Sequence, residues 1–207
     1  MPRVRDDSNG ASEPPAIDFV GGAMGYRMRH GGARGSALAR AVGIGRGHAP
    51  TVIDATAGLG RDAFLLASLG AEVTLIERSP QVHALLEEGL ARAAEAGPEF
   101  AAIVARMRLV HGDARTLLPT MAADVILVDP MHPERKSALV KKEMRLLRTL
   151  VGPDPDALEL MQAALAVARN RVVLKWPRHA PPLAGLPKPS HQILGKTVRY
   201  DVFMTER

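Results

Sequence analysis

Residues 51–64 read TVIDATAGLGRDAF. A short apolar run ends at Asp54, a turn containing Gly58 and Gly60 follows, and Arg61 and Asp62 open the amphipathic stretch RDAFLLASLG. Glycines allow tight backbone turns and close approach to a ligand, and a helix start offers unpaired N–H donors. The stretch therefore reads as buried strand, ligand-facing turn and helix. Outward from it the same alternation recurs. EVTLIE, RMRLVHG, DVILVDP and RVVLKWP are apolar runs closed by a polar or turn residue, as in parallel strands covered on both faces. Between them lie the helical stretches PQVHALLEEGLARAAEAG, ARTLLPTM, SALVKKEMRLLRTLVG and DALELMQAALAVARN. This order predicts a doubly wound α/β sheet, mainly parallel, closed by an antiparallel hairpin from SHQILG and TVRYDVFM.

The 207 residues suit one full-sized domain. Three regions are expected: a loose leader at 1–15, a basic glycine-rich arm at 16–50 folded near the active site, and the catalytic domain at 51–207. Hydrophobic residues make up 46% and charged residues 24%, which excludes wholesale disorder. Aromatics are only 3%, so the core must come from Leu, Val, Ala and Ile, and Trp176 becomes a candidate for stacking on a base. Without cysteine there is no disulfide, thiolate metal site or cysteine nucleophile, and the seven histidines form no metal-binding pair; no metal is expected. The polar N-terminus and the lack of a spanning apolar run point to a cytoplasmic protein without a membrane partner. A net charge of +5 favours an anionic partner such as nucleic acid.

In an open α/β sheet, ligands bind beyond the carboxyl ends of the strands. Those ends carry Asp54 with Gly58, Gly60, Arg61 and Asp62; Glu77, suited to ribose hydroxyls; Asp113, suited to an adenine amino group; and Asp129-Pro130-Met131-His132-Pro133. The first turn also fits the dinucleotide pattern G-x-G-x-x-A, so a nicotinamide-dependent oxidoreductase is a competing reading. Against it stand the polar Asp54 and Thr56 before the glycines, which suit the amino-acid part of S-adenosylmethionine better than a pyrophosphate. The D-P-x-x-P segment also resembles the D/N-P-P-x loop of methyltransferases acting on amino groups of bases. An exocyclic amine is a poor nucleophile because its lone pair is delocalised. The Asp129 carboxylate and the backbone shaped by Pro130 can accept its hydrogens and orient it, with His132 or Trp176 stacking on the base. Arg135, Lys136, Lys141 and Arg145 then stand ready for phosphates. A non-catalytic RNA-binding or ribosome-assembly module is the third reading.

DFVGGAM, DATAGLGRDAF, the Glu-Arg pair of LIERSP, the DPM-x-P loop, KSALVKKEMR, TLVGPD and APPLA together resemble the ribosomal RNA small subunit methyltransferase J family, over nearly everything from Ile17 onward. The resemblance implies a Rossmann-like class I fold dependent on S-adenosylmethionine, with S-adenosylhomocysteine as product. It implies methyl transfer to the exocyclic N2 of a guanine in 16S ribosomal RNA, making the small ribosomal subunit the partner. It places cofactor contacts on Arg61 and Asp62, Glu77 and Arg78, Asp113 and Ala114, and Asp129. The chain departs from the family in having His132 where an aromatic is usual, and members tend to have an additional N-terminal segment.

Overall fold

In the computed structural model the described residues are 16–21, 25, 35–45, 47–131 and 155–205. The five apolar runs are parallel strands: β1 Thr51–Asp54, β2 Glu72–Glu77, β3 Met107–His111, β4 Val125–Val128 and β5 Arg171–Pro177. The tail supplies β6 His191–Leu194 and β7 Val198–Met204, which pair antiparallel with each other, β7 also running antiparallel to β5. The sheet order is β3-β2-β1-β4-β5-β7-β6. β1 and β4 are thus adjacent although half the domain separates them in sequence, and their carboxyl ends border the crevice where the strand order reverses.

Each central strand alternates between two cores. Val52, Val73, Leu127, Val173 and Val202 face one layer, and Ile53, Ile76, Ile126, Val172 and Phe203 face the other. The first layer is made by α1 Ala37–Val42, α2 Arg61–Ser68, α3 Pro80–Glu95 and α4 Pro98–Val104. The second holds the single turn α5 Ala114–Leu117 and α6 Ala157–Val167. Strands buried on both faces must be apolar throughout, which is why their sequences lack a two-residue period. The edge strand β3 is only half-buried.

Two details differ from the sequence reading. The stretch after Gly97 forms a separate helix, α4, because Pro98 fits a first helical turn and restarts the chain after Gly97, whose φ is 143°. ARTLLPTM is one α turn followed by a 3-10 turn at Leu118–Thr120 around Pro119, not a full helix. Where residues 16–50 are described, they contribute to the first core. Ile17 and Phe19 are buried, the Phe19 ring stacks on Phe64 at 4.6 Å, and α1 buries Leu38, Ala41 and Val42 in the first core. In a chain with few aromatics, this stack supplies bulk that aliphatic residues would otherwise provide. The helix expected from SALVKKEMRLLRTLVG lies outside the described residues. No described helix is long and apolar enough to cross a membrane.

Candidate active site

The turn after β1 is sewn into the sheet. Ala55 N–H donates to Leu127 C=O at 2.9 Å, Ala57 N–H to Ile76 C=O at 3.1 Å, and Gly58 N–H to the Glu77 carboxylate at 2.9 Å. Gly58 and Gly60 have φ of 52° and 67°, the left-handed region that side chains rarely tolerate. A Cβ on Gly60 would also lie 2.6 Å from Leu86 Cδ2 and 3.2 Å from Phe19 Cζ.

Beyond the turn opens a cavity of about 470 Å³, within the roughly 300–1,000 Å³ usual for small-molecule sites. Its walls include Asp54, Gly58, Arg61, Asp62, Glu77 and Arg78, together with Asp113, Ala114, Asp129, Pro130 and Trp176. These are the expected residues with one correction. Gly60 faces Phe19 and Leu86, not the cavity, so its part is to start α2. His132, Arg135, Lys136, Lys141 and Arg145 lie outside the described residues.

The structure gives several of these side chains more specific work than their sequence positions suggest. Glu77 is buried, and its two oxygens accept N–H bonds from Gly58 at 2.9 Å and Ser79 at 2.8 Å, so it fixes the glycine turn while facing the cavity. Thr56 N–H donates to Asp54 at 3.1 Å, and the Thr56 hydroxyl accepts the Asp129 N–H at 2.7 Å. The polar turn of β1 thereby locates the backbone of the loop after β4. Asp113 caps α5 through the Arg115 N–H, and the Arg115 guanidinium grips its carboxylate at 2.7 Å. That pairing holds the Asp113 carboxyl below its ordinary range. Asp156, at the head of α6, pairs with Arg78 at 2.9 Å and with Arg115 at 3.2 Å. Trp176 is not an exposed ring. It is 7% exposed, packs in the second core and donates its indole N–H to Pro181 C=O at 2.8 Å, reaching the cavity only as part of its wall.

Sequence reasoning missed Lys175. Its ammonium donates to Asp62 and to Asp129, both at 2.7 Å, from near the carboxyl end of β5. Burial disfavours the ammonium, but the two carboxylates outweigh it and hold the group above its ordinary lysine value. Asp54, 3% exposed, is pushed up to about 7, first by burial and then by the charge of Asp62. The signal available in the sequence was a lone cation interrupting RVVLKWP at the carboxyl end of a strand.

Lys175 lies among Asp54, Asp62 and Asp129 on this wall, and Arg61 lines the same cavity. S-adenosylmethionine, with a sulfonium and an ammonium against one carboxylate, is a net cation and fits the donor set.

Comparison with known proteins agrees. Residues 3–205 match the family described as "Putative SAM-dependent methyltransferase". The chain is 69% identical over 193 residues to ribosomal RNA small subunit methyltransferase J of Rhodopseudomonas palustris strain HaA2, covering 93% of this chain and 88% of the relative. It is 66% identical to the protein of the same name from Brucella anthropi, covering 91% and 92%. The crystal structure of a SAM-dependent methyltransferase from Neisseria gonorrhoeae superposes with a TM-score of 0.73 at 38% identity, covering 94% of this chain and 76% of that one. The cofactor is therefore S-adenosylmethionine, and the chain belongs to the class I methyltransferase family that includes the ribosomal RNA small subunit methyltransferase J proteins.

Proposed function

We propose that the enzyme methylates the exocyclic N2 of a guanine in the 16S RNA of the small ribosomal subunit, in the cytoplasm. The observation that carries this reading is Asp129. Its carboxylate stands on the cavity wall at the end of β4, followed by Pro130, with its backbone pinned by Thr56 and its side chain by Lys175. The name of the relatives supports the RNA substrate. The cofactor supplies an electrophilic methyl on a sulfonium. Asp54 and Asp62 favour the cationic cofactor, Glu77 presents a buried carboxylate towards ribose hydroxyls, and Asp129 accepts the hydrogens of the target amine. The bound cofactor would give its methyl to the nitrogen and keep the bonding pair on sulfur, and Asp129 or water would take the proton that the nitrogen releases. His132, Arg135, Lys136, Lys141 and Arg145 belong to the RNA-facing part of this proposal, with Trp176 as a wall of the base pocket.

The test is transfer of tritiated methyl from labelled cofactor into small subunits lacking the modification, followed by nucleoside digestion. N2-methylguanosine is the expected product. Asp129→Ala should lower the rate by about 10²–10³-fold or more, while cofactor affinity falls far less. Label in another nucleoside, or none at all, overturns the proposal.

A further inference from the structure

Lys175 is an expensive residue to place where it is. It interrupts a strand whose neighbours Val173, Leu174 and Trp176 are buried, and an apolar side chain of the same length would pack there without desolvating a charge. Leu174 lies in register with Val128, so Lys175 flanks the first loop residue after β4, which is Asp129. Its other neighbour is Tyr200 of β7, directly across the strands and buried. Among the described residues, the charged groups facing it are Asp54 from the end of β1, Asp62 from the first turn of α2 and Asp129 from the β4 loop, with Arg61 also on the cavity wall. Two of its three N–H donors are engaged, by Asp62 and Asp129.

We infer that Lys175 is a positioning residue for methyl transfer, its bridge between Asp62 and Asp129 holding the Asp129 carboxylate anionic and aimed into the cavity. The inference rests on the reading that Asp129 receives the target amine. Thr56 holds the backbone of Asp129, and the bridge from Lys175 holds its carboxylate. Without that ammonium, the carboxylates of Asp54, Asp62 and Asp129 crowd one wall, and one of them takes up a proton. A protonated Asp129 would donate a hydrogen bond where an acceptor is needed. Asp54, raised to about 7 by its burial and then by the charge of Asp62, stands behind this pair.

The test compares Lys175→Met, which keeps length and loses charge, with Lys175→Arg, which keeps charge. The readouts are kcat against pH, cofactor affinity by calorimetry, and titration of the Asp129 carboxyl by carbon-13 NMR in the enzyme without RNA. Lys175→Met should lower kcat at neutral pH by about 10²-fold, move the acid limb of the profile to higher pH and raise the Asp129 midpoint, with cofactor affinity changed much less. Lys175→Arg should recover part of the rate with the limb near its wild-type place. Should Lys175→Met fail to fold, the arginine variant carries the test alone, and an alkaline shift of its limb overturns the inference. So does an unchanged Asp129 midpoint in Lys175→Met, or a lower rate with an unmoved limb. A wild-type enzyme that leaves guanine N2 unmethylated refutes the proposed function instead, and the NMR titration then still decides the place of Lys175.

Discussion

Two cations, Arg199 buried and Lys175 half-buried, sit on adjacent strands of this sheet and face opposite layers. Arg199 of β7 stands across from Trp176, and its Nε donates to both oxygens of Asp201 at 3.0 and 3.1 Å. Its second nitrogen donates to the carbonyls of Pro177, Arg178 and Ala180, while Gln192 donates to Asp201 at 2.6 Å. Both side chains are almost fully enclosed, at 6% and 5% exposure, and the charges match one to one. Lys175, one position along β5, has more acid around it than it can neutralise, and the group opens on the cavity, with the Asp129 side chain 39% exposed. A closed and neutral pair ties down the chain that follows β5. An open and unbalanced one leaves charge available to a ligand. The location of surplus charge, more than burial of charge itself, marks the working site of this protein.

Substitutions at the two cations should therefore fail in opposite ways. Arg199→Met leaves Asp201 buried without its partner and should cost roughly 3–5 kcal/mol of stability, read as a large drop in Tm, with activity surviving at temperatures where the protein stays folded. Lys175→Met should lose rate in preference to stability. If Arg199→Met abolished turnover in a folded protein, the division between holding and working pairs would be wrong. Asp54 sharpens the contrast through pH. Its carboxyl is about 7 in the folded enzyme against an ordinary 3.8, so the folded state keeps the proton longer than the unfolded one. Its contribution is complete below about 3.8 and is lost as pH rises through about 7, at no more than about 1.4 kcal/mol per pH unit. Asp54→Asn should flatten the fall in Tm of the cofactor-free protein between pH 5 and 8, and parallel curves would contradict the assignment. The smallest effect belongs to Glu88 and Arg92 on the exposed face of α3, 3.7 Å apart. Glu88→Gln should change stability by under about 0.5 kcal/mol in chemical denaturation.

The carboxyl ends of β1, β2 and β4 were legible in the sequence because a buried parallel strand leaves a continuous apolar run, and the first polar residue after it stands at the ligand edge. Asp54, Glu77 and Asp129 follow from that alone. Lys175 does not, since its meaning comes from Asp62 and Asp129, 113 and 46 residues away in sequence. A lone lysine in a strand reads equally well as a long side chain reaching solvent. Gly60 was assigned to the ligand because glycine spacing does not tell which face of a turn points outward. Trp176 is a candidate platform in the sequence for want of other aromatics, and composition alone does not separate that part from core packing; its N–H partner on the next loop holds it in the wall. Helix α4 escaped because Gly97-Pro98 marks an end and a beginning alike.

Crystals grown with S-adenosylhomocysteine test the central claim most directly. The nucleoside should lie in the cavity at the carboxyl ends of β1, β2 and β4, its ribose hydroxyls on Glu77 and its sulfur on the wall shared by Asp54 and Asp129. Density for the ligand elsewhere, or a cavity left empty in crystals grown with the ligand, would contradict it.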